Sequence, residues 1–357
     1  MLDKFISKTL LVLIPLMAMA AGLILPPAAL AQTPTEGISL QVSPLPIELS
    51  AKPGSSVNTD LRVRNAGTQD EKLQVRLLKV SADNNGNVNL TNPTSADEFT
   101  QWVHFSRTVF DAPPGQWQTI NMRVDVPANA AFGYYFAVEY LRAAGDQTQP
   151  GKAVARGAVA TFILLNADAP GAKRQASIVS FSADRKSYEF LPATFTVKVR
   201  STGNVHVAPH GNIFIMHGSK QVGSIQVNAA QGNILPGSSR YFQTAWSDGF
   251  PVYVTKYNGE SPVLGKDGQP VRSLKWDFSK ANHLRFGHYT AHLVMIYDNG
   301  TRDVPMDAYV SFWVVPWRVI GILLIILLLV GVGLWSTIKK WAAIIGRLRR
   351  GGKPVEK

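Results

Sequence analysis

Histidine is the residue type whose spacing in this sequence comes nearest to a chemical site, since six of the seven histidines lie between His206 and His292. His288 and His292 are four residues apart in a predicted strand, so both side chains project from one face. Tyr289 and Leu293 occupy the other, apolar face, which places the two histidines toward solvent. With no cysteine in the chain and no run of acidic residues nearby, the sequence predicts solvated histidines and no metal site.

No arrangement of residues for catalysis accompanies the histidines. The chain contains no G-x-S-x-G turn, no phosphate-binding glycine loop and no H-E-x-x-H pair. The absence of cysteine also excludes thiolate nucleophiles, disulfides and iron–sulfur clusters. We therefore expect a protein that is not an enzyme and has no cofactor.

The strongest candidate for a binding surface is an inserted segment, 249–285. Gly115 and Gly133 flank a short interval in the first half of the chain, whereas the corresponding Gly237 and Gly287 are much further apart. Long excursions from compact domains are commonly functional, and aromatic side chains beside basic ones suit stacking on sugars or anchoring a protein partner. The predicted ligand-binding residues are Tyr253, Tyr257, Trp276, Lys275 and Arg272. The alternative is an extra hairpin whose aromatic side chains pack on the domain.

The elements that would position these residues are β-strands. Residues 32–315 consist of short runs of alternating apolar and polar residues, separated by Pro, Gly, Asn and Asp. A polar break at 167–174 divides them into two sets, 32–166 and 175–315. The predicted fold is all-β, with two tandem immunoglobulin-like β-sandwich domains followed by a single transmembrane α-helix, and the second domain carries the insert 249–285.

An internal repeat supports two similar halves. Phe132–Ala137 and Phe286–Ala291 share the pattern F-G-x-Y-x-A before an apolar strand. This element resembles strand F of immunoglobulin domains, in which a corner tyrosine precedes a buried cysteine by two residues. We therefore expect Tyr135 and Tyr289 to be structural corner tyrosines, each bonded to the backbone, with alanine in the place of the cysteine.

Pro44 and Pro46 interrupt the first predicted strand, Ile38–Leu49. Each proline removes one backbone donor, so we expect an edge strand that is kinked or switches between sheets. Proline at this edge also counts against pairing with a further strand there.

The first 31 residues resemble a secretory signal peptide. A short basic start precedes a long apolar run, and Ala29-Leu30-Ala31 forms a small-x-small cleavage site. The mature chain would begin at Gln32. The alternative is an uncleaved anchor, because the apolar run is longer than a usual signal core.

Residues 316–338 have the composition of a transmembrane helix. Val319–Thr337 carries no charged residue and is about as long as the helix that spans a hydrocarbon core. Trp317 and Trp335 flank it at a spacing that places one indole at each headgroup level. The tail that follows is either an amphipathic helix along the inner leaflet or a plain stop-transfer signal.

The distribution of charge predicts the orientation of this helix. Residues 316–357 hold eight basic residues against one acidic residue, which gives 8 − 1 = +7 of the formal net charge of +12. Lys339 and Lys340 begin this excess, and the positive-inside rule places the basic tail, 339–357, in the cytoplasm. Residues 32–315 are then extracytoplasmic, on a single-pass protein of the cell membrane. Their mild basic excess argues against a nucleic-acid partner.

Short motifs of the first domain carry a family resemblance. They are Leu40-Gln41-Val42-Ser43-Pro44, Lys52-Pro53-Gly54, Asn65-Ala66-Gly67, Asp83-Asn84-Asn85-Gly86 and Val126-Pro127. They resemble the extracellular immunoglobulin-like domain of the WxL-interacting cell-surface proteins, which share the plan of signal peptide, two sandwich domains, membrane helix and basic tail. The resemblance implies a bacterial envelope protein that contacts peptidoglycan through its first domain, and a WxL surface protein or host matrix through its second.

The function predicted from the sequence is binding rather than chemistry. The chain is expected to be a membrane-anchored cell-surface binding or scaffold protein in adhesion, whose partners are the lipid bilayer, cell-wall polysaccharide or peptidoglycan, and a partner surface protein. The alternative is a membrane-tethered extracytoplasmic assembly chaperone, in which an exposed edge of the first domain pairs with a strand of a secreted or surface subunit. Asn89 and Asn299 begin glycosylation sequons.

Overall fold

The computed structural model describes residues 38–83, 86–143 and 157–350. The predicted signal peptide, 1–31, and the end of the predicted tail, 351–357, lie outside the described residues. The described chain forms two β-sandwiches, each around its own apolar core, and a long C-terminal helix. The prediction of an all-β chain that ends in an apolar helix is confirmed.

The first sandwich packs two sheets face to face. Its strands are β1 (Leu40–Ser43), β2 (Ile47–Ala51), β3 (Ser56–Asn65), β4 (Glu71–Ala82), β5 (Val88–Thr91), β6 (Val103–Phe105), β7 (Val109–Ala112), β8 (Trp117–Asp125), β9 (Gly133–Arg142) and β10 (Ala158–Ala167), with a 3-10 helix at Glu98–Gln101. One sheet has the order β1-β3-β8-β6. The other has the order β2-β10-β9-β4-β5, and β7 also pairs with β4.

The chain crosses between the two sheets at Pro44 and Pro46. β1 pairs antiparallel with β3 in one sheet, and β2 pairs parallel with β10 in the other. The predicted first strand, Ile38–Leu49, is therefore two strands, and the prediction that it switches sheets is confirmed. Pairing with β3 ends at Ser43 and pairing with β10 begins at Ile47, so both prolines lie between the two ladders, where proline is tolerated.

The second sandwich repeats this plan. Its strands are β11 (Ala176–Ala183), β12 (Ser187–Tyr188), β13 (Ala193–Ser201), β14 (His210–His217), β15 (Lys220–Val227), β16 (Ser239–Trp246), β21 (Gly287–Asp298) and β22 (Asp303–Val314); the insert adds β17 (Val252–Thr255), β18 (Tyr257–Asn258), β19 (Ser261–Pro262), β20 (Arg272–Lys275) and a 3-10 helix at Phe278–His283. The sheets have the orders β11-β13-β16 and β12-β22-β21-β14-β15.

The two copies of the F-G-x-Y-x-A repeat are out of register by one residue. In β21 the odd-numbered residues face the core, and the Tyr289 hydroxyl accepts a hydrogen bond from the Phe286 N–H at 3.1 Å. In β9 the even-numbered residues face the core, so Tyr134 occupies the corner and accepts from the Ala131 N–H at 3.1 Å. Tyr135, predicted as the corner tyrosine, has a hydroxyl bonded to the backbone as expected. Its position is not the corner, because its side chain projects from the outer face of the sheet.

That outer face packs against the second sandwich. The Tyr135 hydroxyl accepts a hydrogen bond from the backbone N–H of His206 at 2.9 Å, and the two rings meet edge to face with centroids 5.7 Å apart. Asn233 Nδ2 donates to Glu48 Oε1 at 2.7 Å. Ala137, which the repeat placed at the inward cysteine position, is buried on this outer face instead.

The connection between the sandwiches, residues 168–175, is held by hydrogen bonds. The Lys173 N–H donates to Asn204 Oδ1 at 2.6 Å, and Asn204 Nδ2 donates to the Gly171 carbonyl at 3.0 Å. The Lys173 carbonyl approaches Gly203 so closely that an added Cβ would lie 2.1 Å from it. The two sandwiches are therefore joined by a fixed connection rather than by a free linker.

One helix, α1 (Trp317–Arg350), follows β22 with only two residues between them. The Val315 N–H donates to the Tyr188 carbonyl at 2.7 Å, which holds the start of the helix against the second sandwich. The segment Trp317–Ala342 is long and apolar enough to cross a membrane, with a mean hydropathy of 2.8. The helix continues without a break past Lys339, so the first part of the predicted tail is helical.

Burial at the contact between the two sandwiches favours the neutral forms of Tyr135 and His206. The pKa of Tyr135 is raised to about 12, chiefly by burial, against the opposing effect of the hydrogen bond from the His206 backbone. The pKa of the His206 imidazole is lowered, again chiefly by burial; Glu48 opposes this shift and Arg174 adds to it. His206 is therefore neutral in the folded protein at neutral pH.

Acid should weaken the folded state through His206. Because its pKa is lower in the folded chain than in the unfolded chain, where it is about 6.5, the unfolded state binds the proton more readily and stability is lost as the pH falls below about 6.5. We expect the melting temperature of the detergent-solubilised full chain to fall between about pH 7.5 and pH 5, and to fall less in His206→Gln. The exposed His288→Gln is the control and should behave as the wild type. Equal falls in wild type and His206→Gln would contradict this assignment.

Candidate functional site

One edge of β10 is open in the part of the chain that the structure describes. The parallel ladder with β2 begins at Ile163, opposite Ile47, and runs to the end of β10. The preceding half of the strand, Ala158–Phe162, pairs with β9 on one side only. We call Ala158–Phe162 the open edge.

The direction of the backbone groups along β10 follows from two hydrogen bonds at its end. The Ala167 N–H donates to the Phe132 carbonyl beside β9, and the Asp168 N–H donates to the Ala51 carbonyl beside β2. Successive residues of a strand alternate between its two sides. Even-numbered residues therefore point away from β9, and Ala158 and Ala160 direct both their N–H and C=O groups toward the open side.

The two prolines lie where this open edge begins. β2 does not pair with β10 before Ile47, because the chain at Pro44 and Pro46 is still crossing from the other sheet. The sequence predicts that proline at this edge counts against pairing with a further strand. In the structure the prolines instead mark the point before which β2 leaves β10 uncovered.

The composition of the open edge does not discourage pairing. Natural edge strands are commonly protected by charged residues or proline. β22 has such protection on its own uncovered side, since Pro305 and Asp307 occupy positions whose backbone faces outward. Ala158–Phe162, with the sequence A-V-A-T-F, contains neither charge nor proline. A row of unpaired N–H and C=O groups that neither charge nor proline protects is a template for an added strand.

The start of the open edge lies beside the start of β1. The Ile38 side chain sits directly against Gly157, where an added Cβ would lie 2.0 Å from Ile38 Cγ2. β1 itself has β3 as a neighbour on one side. The first described residues of the chain thus lie close to the start of the open edge.

The five binding residues predicted in the insert are not brought to one point. Lys275 and Arg272 stand at opposite ends of β20, and the exposed Tyr257 lies on β18, in a separate pair of strands. Tyr253 is half-buried, and its ring packs near the Phe190 ring with centroids 6.1 Å apart. A shallow cleft of 210 Å³ borders Tyr253 and Lys275 and falls below the roughly 300–1,000 Å³ of typical small-molecule sites.

The fifth residue, Trp276, belongs to an aromatic cluster with Phe250 and Phe278. Ring centroids are 5.7 Å apart for Phe250 and Trp276, and 5.4 Å apart for Phe250 and Phe278. Trp276 is 49% exposed and Phe278 is 74% exposed. The alternative of an extra hairpin packed on the sandwich therefore describes Tyr253 but not these two rings.

The clustered histidines do not converge. His288 packs near the Trp313 ring, His292 Nε2 lies 3.6 Å from Asp307 Oδ2, and His283 Nδ1 lies 2.5 Å from Asp248 Oδ1. Across the described ranges, no group of three or more His, Asp or Glu side chains is arranged to hold a metal ion.

Comparisons with known sequences give no family. No protein-family model matches the sequence, and no curated protein matches it. The resemblance to WxL-interacting proteins stays a prediction.

Solved structures of similar fold include several chaperones. One is the class 5 fimbriae chaperone CfaA, with 16% identity over 67% of this chain and 100% of that chain and a TM-score of 0.35. Another is the CsuC–CsuE chaperone–tip adhesion subunit pre-assembly complex of Acinetobacter baumannii, with 12% identity over 57% and 89% and a TM-score of 0.32. A third is the CupB2 chaperone of Pseudomonas aeruginosa, with 9% identity over 75% and 98% and a TM-score of 0.32. At these TM-scores, the function has to be argued from the geometry of this chain.

Proline substitutions along β10 test the direction of its backbone groups. Ala160→Pro should change the free energy of unfolding by less than about 1 kcal/mol, because the lost N–H points to the open side. Thr161→Pro removes an N–H that points to β9 and leaves a buried carbonyl unpaired, which should cost about 1–3 kcal/mol or more. Thr161→Val controls for the lost hydroxyl. Chemical denaturation of the three variants measures the difference, and similar losses for both prolines would refute the alternation.

Proposed function

We propose that this protein is a membrane-anchored extracytoplasmic chaperone or assembly factor that holds an extended segment of a partner protein along the open edge of β10. One observation carries this proposal: among the described residues, no strand pairs with the N–H and C=O groups that Ala158 and Ala160 direct away from β9, and Ala158–Phe162 contains neither charge nor proline. An added strand would satisfy these groups by main-chain hydrogen bonds.

The anchoring in this proposal rests on α1. Trp317–Ala342 has the length and hydropathy of a membrane span, and none of its most apolar window is buried inside the protein. Trp317 and Trp335 are both exposed, as indoles at the two headgroup levels would be. Lys339 and Lys340 follow the second indole, so the positive-inside rule favours an extracytoplasmic position for the two sandwiches.

The partner should be a protein in an extended conformation. Main-chain pairing gives affinity without regard to sequence, and specificity comes from alternate side chains. Along the open edge Ala158 and Phe162 project from the face opposite Val159, so both faces that flank an incoming strand are apolar. We expect a partner segment of alternating apolar residues, such as an unfolded or incomplete subunit presents.

Binding to cell-wall polymer, the first function predicted from the sequence, has weaker support. The aromatic and basic residues of the insert are spread over separate strand pairs rather than gathered around a sugar-sized site. We therefore place the chaperone ahead of the scaffold for wall polysaccharide or peptidoglycan. Both alternatives share the absence of catalysis.

Photo-crosslinking and peptide binding at the open edge of the full chain test the proposal. Benzoylphenylalanine at Ala158, activated by light in native membranes, should crosslink to an extended segment of an extracytoplasmic protein, and peptide mass spectrometry should locate that segment. A synthetic peptide of the segment should bind the purified chain. Ala160→Pro should weaken this binding by about tenfold, since one to two hydrogen bonds are lost, whereas Ala160→Val keeps the N–H and should bind as the wild type.

Three outcomes would contradict the proposal. Crosslinks from Ala158 to residues 32–37 or 144–156 of the same chain would mean that the protein covers its own edge. Crosslinks to wall polymer would favour the scaffold. Peptide binding that Ala160→Pro leaves unchanged would place the partner elsewhere on the protein.

A further inference from the structure

The insert emerges from the same end of the second sandwich as the helix α1. Val314, the last residue of β22, pairs with Gly287, the first residue of β21. The Trp246 ring at the end of β16 lies 6.2 Å from the Phe312 ring, measured between centroids. The chain therefore leaves β16, forms the insert and returns to β21 at the end that continues into α1.

Glu189 connects the insert to the start of the helix. Its Oε1 lies 3.3 Å from Arg318 Nε on α1, and its Oε2 lies 3.5 Å from the Tyr253 hydroxyl on β17. The Tyr253 N–H also donates to the Leu191 carbonyl at 2.8 Å. The Glu189 side chain therefore lies between Tyr253 at the base of the insert and Arg318 at the start of the membrane span.

The base of the insert is also fixed to the sandwich. Arg285 donates from Nε to the Asp248 carbonyl at 2.9 Å and from Nη2 to Asp248 Oδ2 at 2.7 Å. The Phe250 N–H donates to the His283 carbonyl at 3.0 Å. These bonds join the two ends of the insert, so its orientation follows that of the domain.

Exposed apolar side chains collect at this end. Trp276 and Phe278 of the aromatic cluster are joined by Phe286, which is 57% exposed, and by the exposed Leu284. A group of large apolar side chains left in water at one place marks a surface that contacts something else. Trp and Phe are also the side chains that anchor proteins at the boundary between headgroups and acyl chains.

The charge of the ectodomain is concentrated in the insert. Residues 32–174 contain 13 basic and 13 acidic residues and are neutral, whereas 175–315 contain 13 basic and 9 acidic residues. The insert, 249–285, holds six of these basic residues and three of the acidic ones. It therefore supplies 6 − 3 = +3 of the ectodomain's net charge of +4. Arg285 is paired with Asp248, just outside the insert, which leaves 3 − 1 = +2 to complement an anionic surface.

From these observations we infer that the insert is a membrane-contacting platform, which lays the aromatic cluster and its basic neighbours on the outer leaflet and binds anionic lipid headgroups. Lys275 and Lys280 flank the cluster and supply the positive charge, while Trp276 and Phe278 enter the interface. This inference rests on the anchoring by α1 proposed above.

The absence of cysteine makes the test direct, because one introduced cysteine carries one label. The full chain, in nanodiscs of phosphatidylcholine with a nitroxide quencher on a fraction of the headgroups, carries a fluorophore at Phe278→Cys or, in a second variant, at Leu284→Cys. Val109→Cys, an exposed position on β7 of the first sandwich, is the matched control. We expect quenching at both insert positions to exceed that at Val109 at least twofold.

Lipid charge tests the electrostatic part of the inference. Replacing about a quarter of the lipid with phosphatidylglycerol should increase quenching at Phe278→Cys. Lys275→Gln with Lys280→Gln should remove this increase, since each cation contributes about a fivefold preference for an anionic surface. Lys198→Gln with Arg200→Gln, on β13 of the same domain, should leave it unchanged.

The outcomes separate the platform from the anchor. Protein that fails to enter nanodiscs refutes the anchoring by α1. Protein that enters nanodiscs but shows equal quenching at Phe278, Leu284 and Val109 refutes the platform alone.

Discussion

The crossover of the chain at Pro44 and Pro46 is the constraint on which the first sandwich depends. Before the prolines the chain pairs with β3 in one sheet, and after them it pairs with β10 in the other. Because the second ladder begins only at Ile47, the described chain leaves the first half of β10 with β9 as its one ladder partner. One change of sheet therefore determines both the topology and the candidate binding edge.

Much of the fold could be predicted from the sequence, because alternating runs and turn residues are local signals. The division into two sandwiches, the sheet switch at Pro44 and the apolar C-terminal helix all follow from such signals. The corner tyrosine was misplaced for a physical reason. Two adjacent tyrosines, Tyr134 and Tyr135, fit the same motif, and only the inward face of β9, set by packing with β10 and β4, distinguishes them.

The candidate site was less accessible from the sequence than the fold. An open edge is a property of pairing between distant segments, and Ala158–Phe162 carries no distinctive residue. Two features of the sequence indicate the open edge. The segment itself contains neither charge nor proline, and two prolines more than a hundred residues earlier interrupt the strand that would cover it. For the insert the reverse holds. Its aromatic and basic residues are easily recognised in the sequence, but only the structure shows that they are separated on β18 and β20.

The short connection between β22 and α1 has a consequence for how a partner is found. With α1 as the proposed anchor, the bond from Val315 to Tyr188 and the fixed junction between the sandwiches leave little freedom to tumble. The open edge is then held at a constant height and in a constant direction relative to the bilayer. Its search for partners is confined to two dimensions, which raises encounters with chains that emerge from the same membrane and disfavours those that diffuse freely.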